Sequence, residues 1–174
     1  MKILIISHNV FDATTSMGKT LYKFFETFPP KEIAQIYIHP EAPTLADFCT
    51  RYYRITDKDA MKSIFIRNKC GRSVKVRSRI YETDKKSKAI GYYIYQRGRS
   101  RTPMIYLARD FMWSLSAWKS KELKGWIDTF QPDIIFLASG DYAFIYTIAG
   151  ELAQDYKVPL VIGCFDDFYQ YDMD

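Results

Sequence analysis

The sequence predicts an α/β fold: a doubly wound, mostly parallel sheet with helices on both faces. Three observations predict it. Residues 2–7, KILIIS, form a continuous apolar run, the pattern of a parallel strand buried on both sides, not the alternation of a half-exposed one. The segment from Pro132 to Asp172 reads as strand, helix, strand, with polar residues (Ser139–Gly140–Asp141 and Asp166–Asp167) just past the two apolar runs. Between these ends, strand-like and helix-like stretches alternate, an order that right-handed crossovers wind into a parallel sheet.

Each element has its own reason. After KILIIS comes a polar loop, His8 to Met17; Gly18–Lys19–Thr20 then opens an amphipathic helix to Phe28, with Leu21, Phe24, Phe25 and Phe28 at helical spacing. Pro29–Pro30 ends it. Ile33 to Ile38 reads as a second strand and Tyr52 to Ile55 as a short third, and Asp57 reads as the cap of a short helix reaching about Arg67. The stretch from Lys69 to Thr102 has no clear period and reads as a loop or short-helix insert. From Pro103, a good first-turn residue, the apolar positions Leu107, Phe111, Leu115, Trp118, Leu123, Trp126 and Phe130 predict one long helix. The strand 134–138, a helix over about 142–156 and the strand 160–165 complete the order.

A chain of 174 residues, 48% hydrophobic and 17% aromatic, suits one domain with a full core. No apolar run approaches the roughly 20 residues that span a bilayer, and the N-terminus lacks the features of a signal peptide. Cys49, Cys70 and Cys164 are scattered without metal spacing, which predicts a reducing, cytoplasmic setting; Cys164, inside an apolar run, is expected to be buried. The net charge of +5 is unevenly spread. Between Arg67 and Arg101 twelve Lys/Arg face only Glu82 and Asp84, a tract of +10, while the remainder carries −5. With its aromatic run GYYIYQRGRSR (91–101), this insert over 67–101 is expected either to be a solvated face or to contact an anionic membrane surface. No nucleic-acid-binding signature accompanies it.

Polar residues past the carboxyl ends of parallel strands mark the ligand edge of such a sheet. Asp166 and Asp167 could bind a metal, act as a base or hydrogen-bond a ligand; adjacent residues on extended chain point opposite ways, so one of them is expected to brace the loop. His8 follows the first strand at the same edge, as a ligand contact or a plain surface histidine, and His39–Pro40 looks like a strand end. Neither histidine has a matched Ser or Cys nucleophile signature. ATTSMGKT (13–20) nearly fits the phosphate-cradling GxxxxGK[ST] pattern, but Ala13 stands where the tight wrap needs glycine. Three readings stay open for it: a nucleotide-triphosphate loop, an ordinary helix start, or helix-start amides at Gly18 and Lys19 facing an anion.

The first strand KILIIS, the small-residue helix start at Gly18 and the stretch WIDTFQPDIIFLASGD…IAGELAQDYKVPLVIGCFDD resemble the N-terminal half of glycosyltransferases with two facing Rossmann-like domains, and look most like the retaining, family 4 type. The likeness runs from Met1 to about Asp172, with roughly 60–105 contributing nothing. It implies a single Rossmann-like acceptor-side domain over 1–174, a three-layer sandwich, with a donor-binding C-terminal domain beyond it that would carry the family's acidic EX7E pattern. It further implies transfer from a nucleotide-sugar to a saccharide or lipid-linked acceptor, without an obligatory metal or other cofactor, while the basic insert 67–101 adds the expectation of a cytoplasmic protein peripheral at the inner membrane face. Met17, Gly18 and Lys19 would face the donor phosphates. His8, Ser139, Gly140 and Asp141 would line the acceptor pocket, and Asp166 and Asp167 would take the catalytic place near the transferred sugar, where many relatives carry a histidine. The other expectations are a stand-alone flavodoxin-like ligand- or partner-binding domain and a P-loop-like nucleotide-binding protein.

Overall fold

Apolar runs long enough to be buried on both sides form the middle of the sheet, and shorter polar-flanked ones form its edges. A computed structural model describes residues 1–11, 16–45, 47–66, 69–76 and 103–165, with Ser16 and Met17 described by backbone alone. Six strands, β1 (Ile3–Ser7), β2 (Ile33–Tyr37), β3 (Arg51–Arg54), β4 (Arg72–Val74), β5 (Ile134–Ala138) and β6 (Leu160–Gly163), form one sheet in the order β4-β3-β2-β1-β5-β6. All pairings are parallel except β3 with β4. Every residue of β1 and β2 is buried. The fold is thus the α/β, Rossmann-like arrangement that the sequence predicts.

Alternation along the strands splits the core. Leu4, Ile6, Ile36, Ile135 and Leu137 face the larger cluster, which α2 (Asp57–Phe65), α3 (Pro103–Leu115), α4 (Lys121–Phe130) and α5 (Ala143–Tyr156) cover with Ala60, Trp113, Ile127 and Ile148. Ile3, Ile5, Ile33 and Phe136 face the other side, where α1 (Ser16–Phe25) supplies Leu21 and Phe25, and Phe11, Phe48 and Cys49 fill in. Helices lie on both faces, as a right-handed winding requires.

Several boundaries differ from expectation for identifiable reasons. The cap of α2 is Thr56, not Asp57: the Thr56 hydroxyl accepts from the Asp59 amide while the Asp59 carboxylate accepts from the Thr56 amide, a reciprocal capping box. The single long helix expected from Pro103 is two. Backbone donors and acceptors are diverted at the break, where the Ala117 amide donates to Ser63 Oγ (3.0 Å) and Ser120 caps a new helix by accepting from the Leu123 amide (3.2 Å). The insert contains β4, whose three residues show too little periodicity to be read as a strand. Residues 77–102 of the insert, with its aromatic run, lie outside the described residues. Cys164 is exposed, not buried, because it follows the outermost strand; Cys49 and Cys70 are the buried thiols.

Gly71, at the turn into β4, has φ +78°, and a Cβ there would stand 2.6 Å from the Arg54 carbonyl oxygen and 2.7 Å from the Tyr53 ring. Gly71→Ala is expected to cost about 2–3 kcal/mol, combining left-handed strain with overpacking against backbone that cannot yield. Urea denaturation checks this; a loss under about 0.5 kcal/mol would show that the turn relaxes freely.

Candidate ligand site at the topological switch point

Chain order reverses between β1 and β5: from β1 the chain winds outward through β2 and β3, then returns to add β5 and β6 on the other side. The loops that leave β1 and β5 therefore run opposite ways from the carboxyl edge, the place where open parallel sheets of this kind bind ligands. The β1–β5 register ends at Ile6 with Leu137, and His8 and Ser139 each follow two residues later, past strands whose Leu4, Ile6, Ile135 and Leu137 face the side covered by α3 and α5. Two of the predicted acceptor-side residues therefore follow neighbouring strands at the same edge of the sheet.

The β1 loop is fixed by a buried amide. Gln35, fully buried on β2, donates from Nε2 to Ser7 Oγ (2.7 Å) and the Asn9 carbonyl (3.0 Å), and its Oε1 accepts from the Phe11 amide (3.1 Å). Ser7 Oγ in turn donates to the Asn9 carbonyl (2.8 Å). The His8 carbonyl accepts from the Ile38 and His39 amides (3.2 and 2.9 Å), tying the ends of β1 and β2 together.

Around the His8 side chain stands a column of rings and one guanidinium. His8 stacks on Tyr142 (centroids 5.6 Å apart, 20° between planes), and Tyr142 stacks on Tyr106 (4.8 Å, 29°). Arg109 lies 3.9 Å from the Tyr142 ring centroid, a close cation–π contact, and its Nε donates to Asp57 Oδ1 (3.0 Å), which also accepts from Trp113 Nε1 (2.8 Å). Trp113 stacks almost flat on Phe144 (4.4 Å, 7°). The α5 start has no cap of its own, since Tyr142 makes no side-chain cap bond; Asp110 of α3 supplies the acceptor instead, to the Phe144 amide (3.1 Å).

Burial first, and the Arg109 charge second, hold the His8 pKa down to about 3, against the opposing pull of Asp57. His39, at 6.4 Å centroid separation, is lowered in the same direction, chiefly by burial, against the opposing pull of Glu41. At neutral pH the imidazole of His8 is therefore uncharged, and one ring nitrogen keeps a lone pair for accepting a hydrogen bond or a proton. Ser139 is buried, and among the described residues its hydroxyl has no hydrogen-bond partner, a cost that a ligand or water would relieve.

Comparison with family models, curated proteins and solved structures returns no match. The remaining predicted residues stand as follows. Gly140 is half-buried, with its carbonyl accepting from Tyr146 Oη (3.1 Å), and Asp141 is exposed. Met17, buried Gly18 and exposed Lys19 lie in the first turn of α1, which packs on the opposite face of the sheet from His8 and Ser139. Asp166 and Asp167 lie outside the described residues. Among the described residues, no three His, Cys, Asp or Glu side chains gather as metal ligands, and no helix is long and apolar enough to cross a membrane. The residues that sequence reasoning missed are Gln35, Arg109, Asp110 and Tyr142. The available signal for the middle pair was a charged dipeptide inside an otherwise apolar helix.

Proposed function

We propose that this chain is the acceptor-side domain of a glycosyltransferase built from two Rossmann-like domains, transferring a sugar from a nucleotide-sugar to a saccharide or lipid-linked acceptor. The observation that supports the reading is the position, just past the carboxyl ends of the two strands at the switch point, of an uncharged His8 and of Ser139, whose buried hydroxyl has no partner among the described residues. Acceptor hydroxyls donate readily to an unprotonated imidazole nitrogen, and a serine hydroxyl can both donate to and accept from a neighbouring hydroxyl. In this reading His8 accepts from the hydroxyl that will attack, Ser139 pairs with a neighbouring one, and the Tyr142–Tyr106 column walls the pocket. Gly18 and Lys19 would meet donor phosphate from the other side of the sheet edge, through the first-turn amides of α1. The donor and the EX7E acids would come from a second domain.

Titrating the chain with simple hexosides, followed by NMR, tests the site. Millimolar binding (about −4 kcal/mol) that shifts His8, Ser139 and Tyr142 resonances is expected, weakened in Ser139→Ala. No response to any hexoside would remove the acceptor site. Product formation by this chain alone, from nucleotide-sugar and hexoside, would remove the half-enzyme reading.

A further inference from the structure

Helix α3 is inverted relative to an ordinary surface helix. Its two charged residues point inward, Arg109 to Asp57 and Tyr142, and Asp110 to the start of α5. Its outer face carries Met104, Leu107, Phe111 and Leu115, at one-turn spacing, with 80%, 70%, 65% and 52% of their surface exposed. Ala108 and Ser114 complete that face, so no charge interrupts it. Helix α2 packs beside α3 through Asp57–Trp113 and Ser63–Ala117 and adds Met61, Phe65 and Ile66, all exposed, Phe65 at 85%. Among the described residues nothing covers this run, and soluble proteins seldom leave one of this kind bare, because each large side chain left in water forgoes roughly 1.5–3 kcal/mol of burial.

Charge selects the occupant. Lys58 and Lys62 stand exposed on α2 among the apolar residues, and Lys69, Arg72 and Lys75 follow as exposed residues next in the chain. The nearby acids are already engaged, Asp57 by Arg109 and Asp59 by the Thr56 cap. An apolar helix face flanked by lysines and arginines is the pattern of an interfacial element, whose side chains enter the acyl boundary while the bases meet anionic headgroups. We infer that the outer faces of α2 and α3 form a docking surface for an anionic lipid bilayer, with Leu107, Phe111 and Phe65 as the inserting residues. The inference is independent of the reading of the switch-point site, since none of these residues touches His8 or Ser139.

Cosedimentation of the full chain with vesicles of phosphatidylcholine alone, and of phosphatidylcholine mixed with phosphatidylglycerol, tests it. Binding to the mixed vesicles, reduced by salt, is expected. The Leu107→Glu/Phe111→Glu variant should lose at least about tenfold in partition coefficient, with its melting temperature unchanged because both positions face water. Lys58→Glu/Lys62→Glu should weaken binding to anionic vesicles only. Equal retention on both vesicle types, or full retention by the Leu107→Glu/Phe111→Glu variant, would overturn the proposal. So would a concentration-dependent dimer, seen by sedimentation velocity without vesicle binding and dissolved by the same variant, which would assign the face to a second copy of the chain.

Discussion

Gln35→Leu is expected to destabilise the protein by about 3–4 kcal/mol, although the substitution is apolar, similar in size and placed in a fully buried strand. The leucine would bury well. What it removes is the acceptor for the Phe11 amide and the donor to Ser7 Oγ and the Asn9 carbonyl. The Phe11 amide, itself in a buried stretch, would then be left without a partner at roughly 1–3 kcal/mol, and each lost hydrogen bond from Nε2 adds about 1 kcal/mol. Because the network is closed, with Ser7 Oγ also bonded to the Asn9 carbonyl, the loss propagates to the loop that carries His8. Urea denaturation of the two proteins measures the stability change, and amide exchange at Phe11 localises it. A change below about 1 kcal/mol, with Phe11 still protected, would mean that water replaces the amide and that the loop does not depend on Gln35. In the proposed enzyme the same substitution should also weaken hexoside binding, since His8 is held by the backbone that Gln35 pins.

How far the sequence carries this reading depends on whether a residue's role is set locally. KILIIS and the run 134–138 are legible because a strand buried on both faces needs a nearly unbroken apolar run, and few other structures do. The place of Ser139 at the carboxyl edge follows from the same pattern, since polar residues immediately after such a run sit at the ligand edge. Gln35 is not legible: a glutamine inside an apolar strand looks like an edge or an error until its three partners, 24 to 28 residues away in sequence, are folded onto it. Leu107, Phe111 and Leu115 mislead in the opposite way. Their helical spacing is the spacing of a core face, and periodicity identifies a stripe without saying whether protein, lipid or another chain covers it. The decision lies in Arg109 and Asp110, whose ion pair and trans cap can form only if they point inward, forcing the apolar stripe out. That choice depends on Asp57 and on the start of α5, both more than thirty residues away in sequence.

Acidification gives the second large effect. The folded pKa of His8, about 3, lies below its ordinary value of 6.5, so between these values the unfolded chain takes up a proton that the folded chain refuses. The contribution of His8 to stability is therefore complete above about pH 6.5 and is lost progressively as pH falls toward 3, by up to roughly 4 kcal/mol. The groups facing it set this sign. Burial comes first, Arg109 adds repulsion, His39 adds more once charged, and only Asp57 pulls the other way, with its carboxylate already shared between Arg109 and Trp113. His39 shifts in the same direction and steepens the fall. Carboxylates elsewhere add a slope of their own, which a His8→Gln variant separates. Its stability relative to the parent should improve by about 2–3 kcal/mol between pH 7 and pH 4.5, measured by urea denaturation at each pH. A difference that stays constant over that range would show that His8 titrates as a water-exposed imidazole does, and would withdraw the neutral hydrogen-bond acceptor on which the proposed acceptor site depends. If the difference does change, hexoside affinity should persist well below pH 6.5, where an ordinary histidine would already be charged and could no longer accept a hydrogen bond.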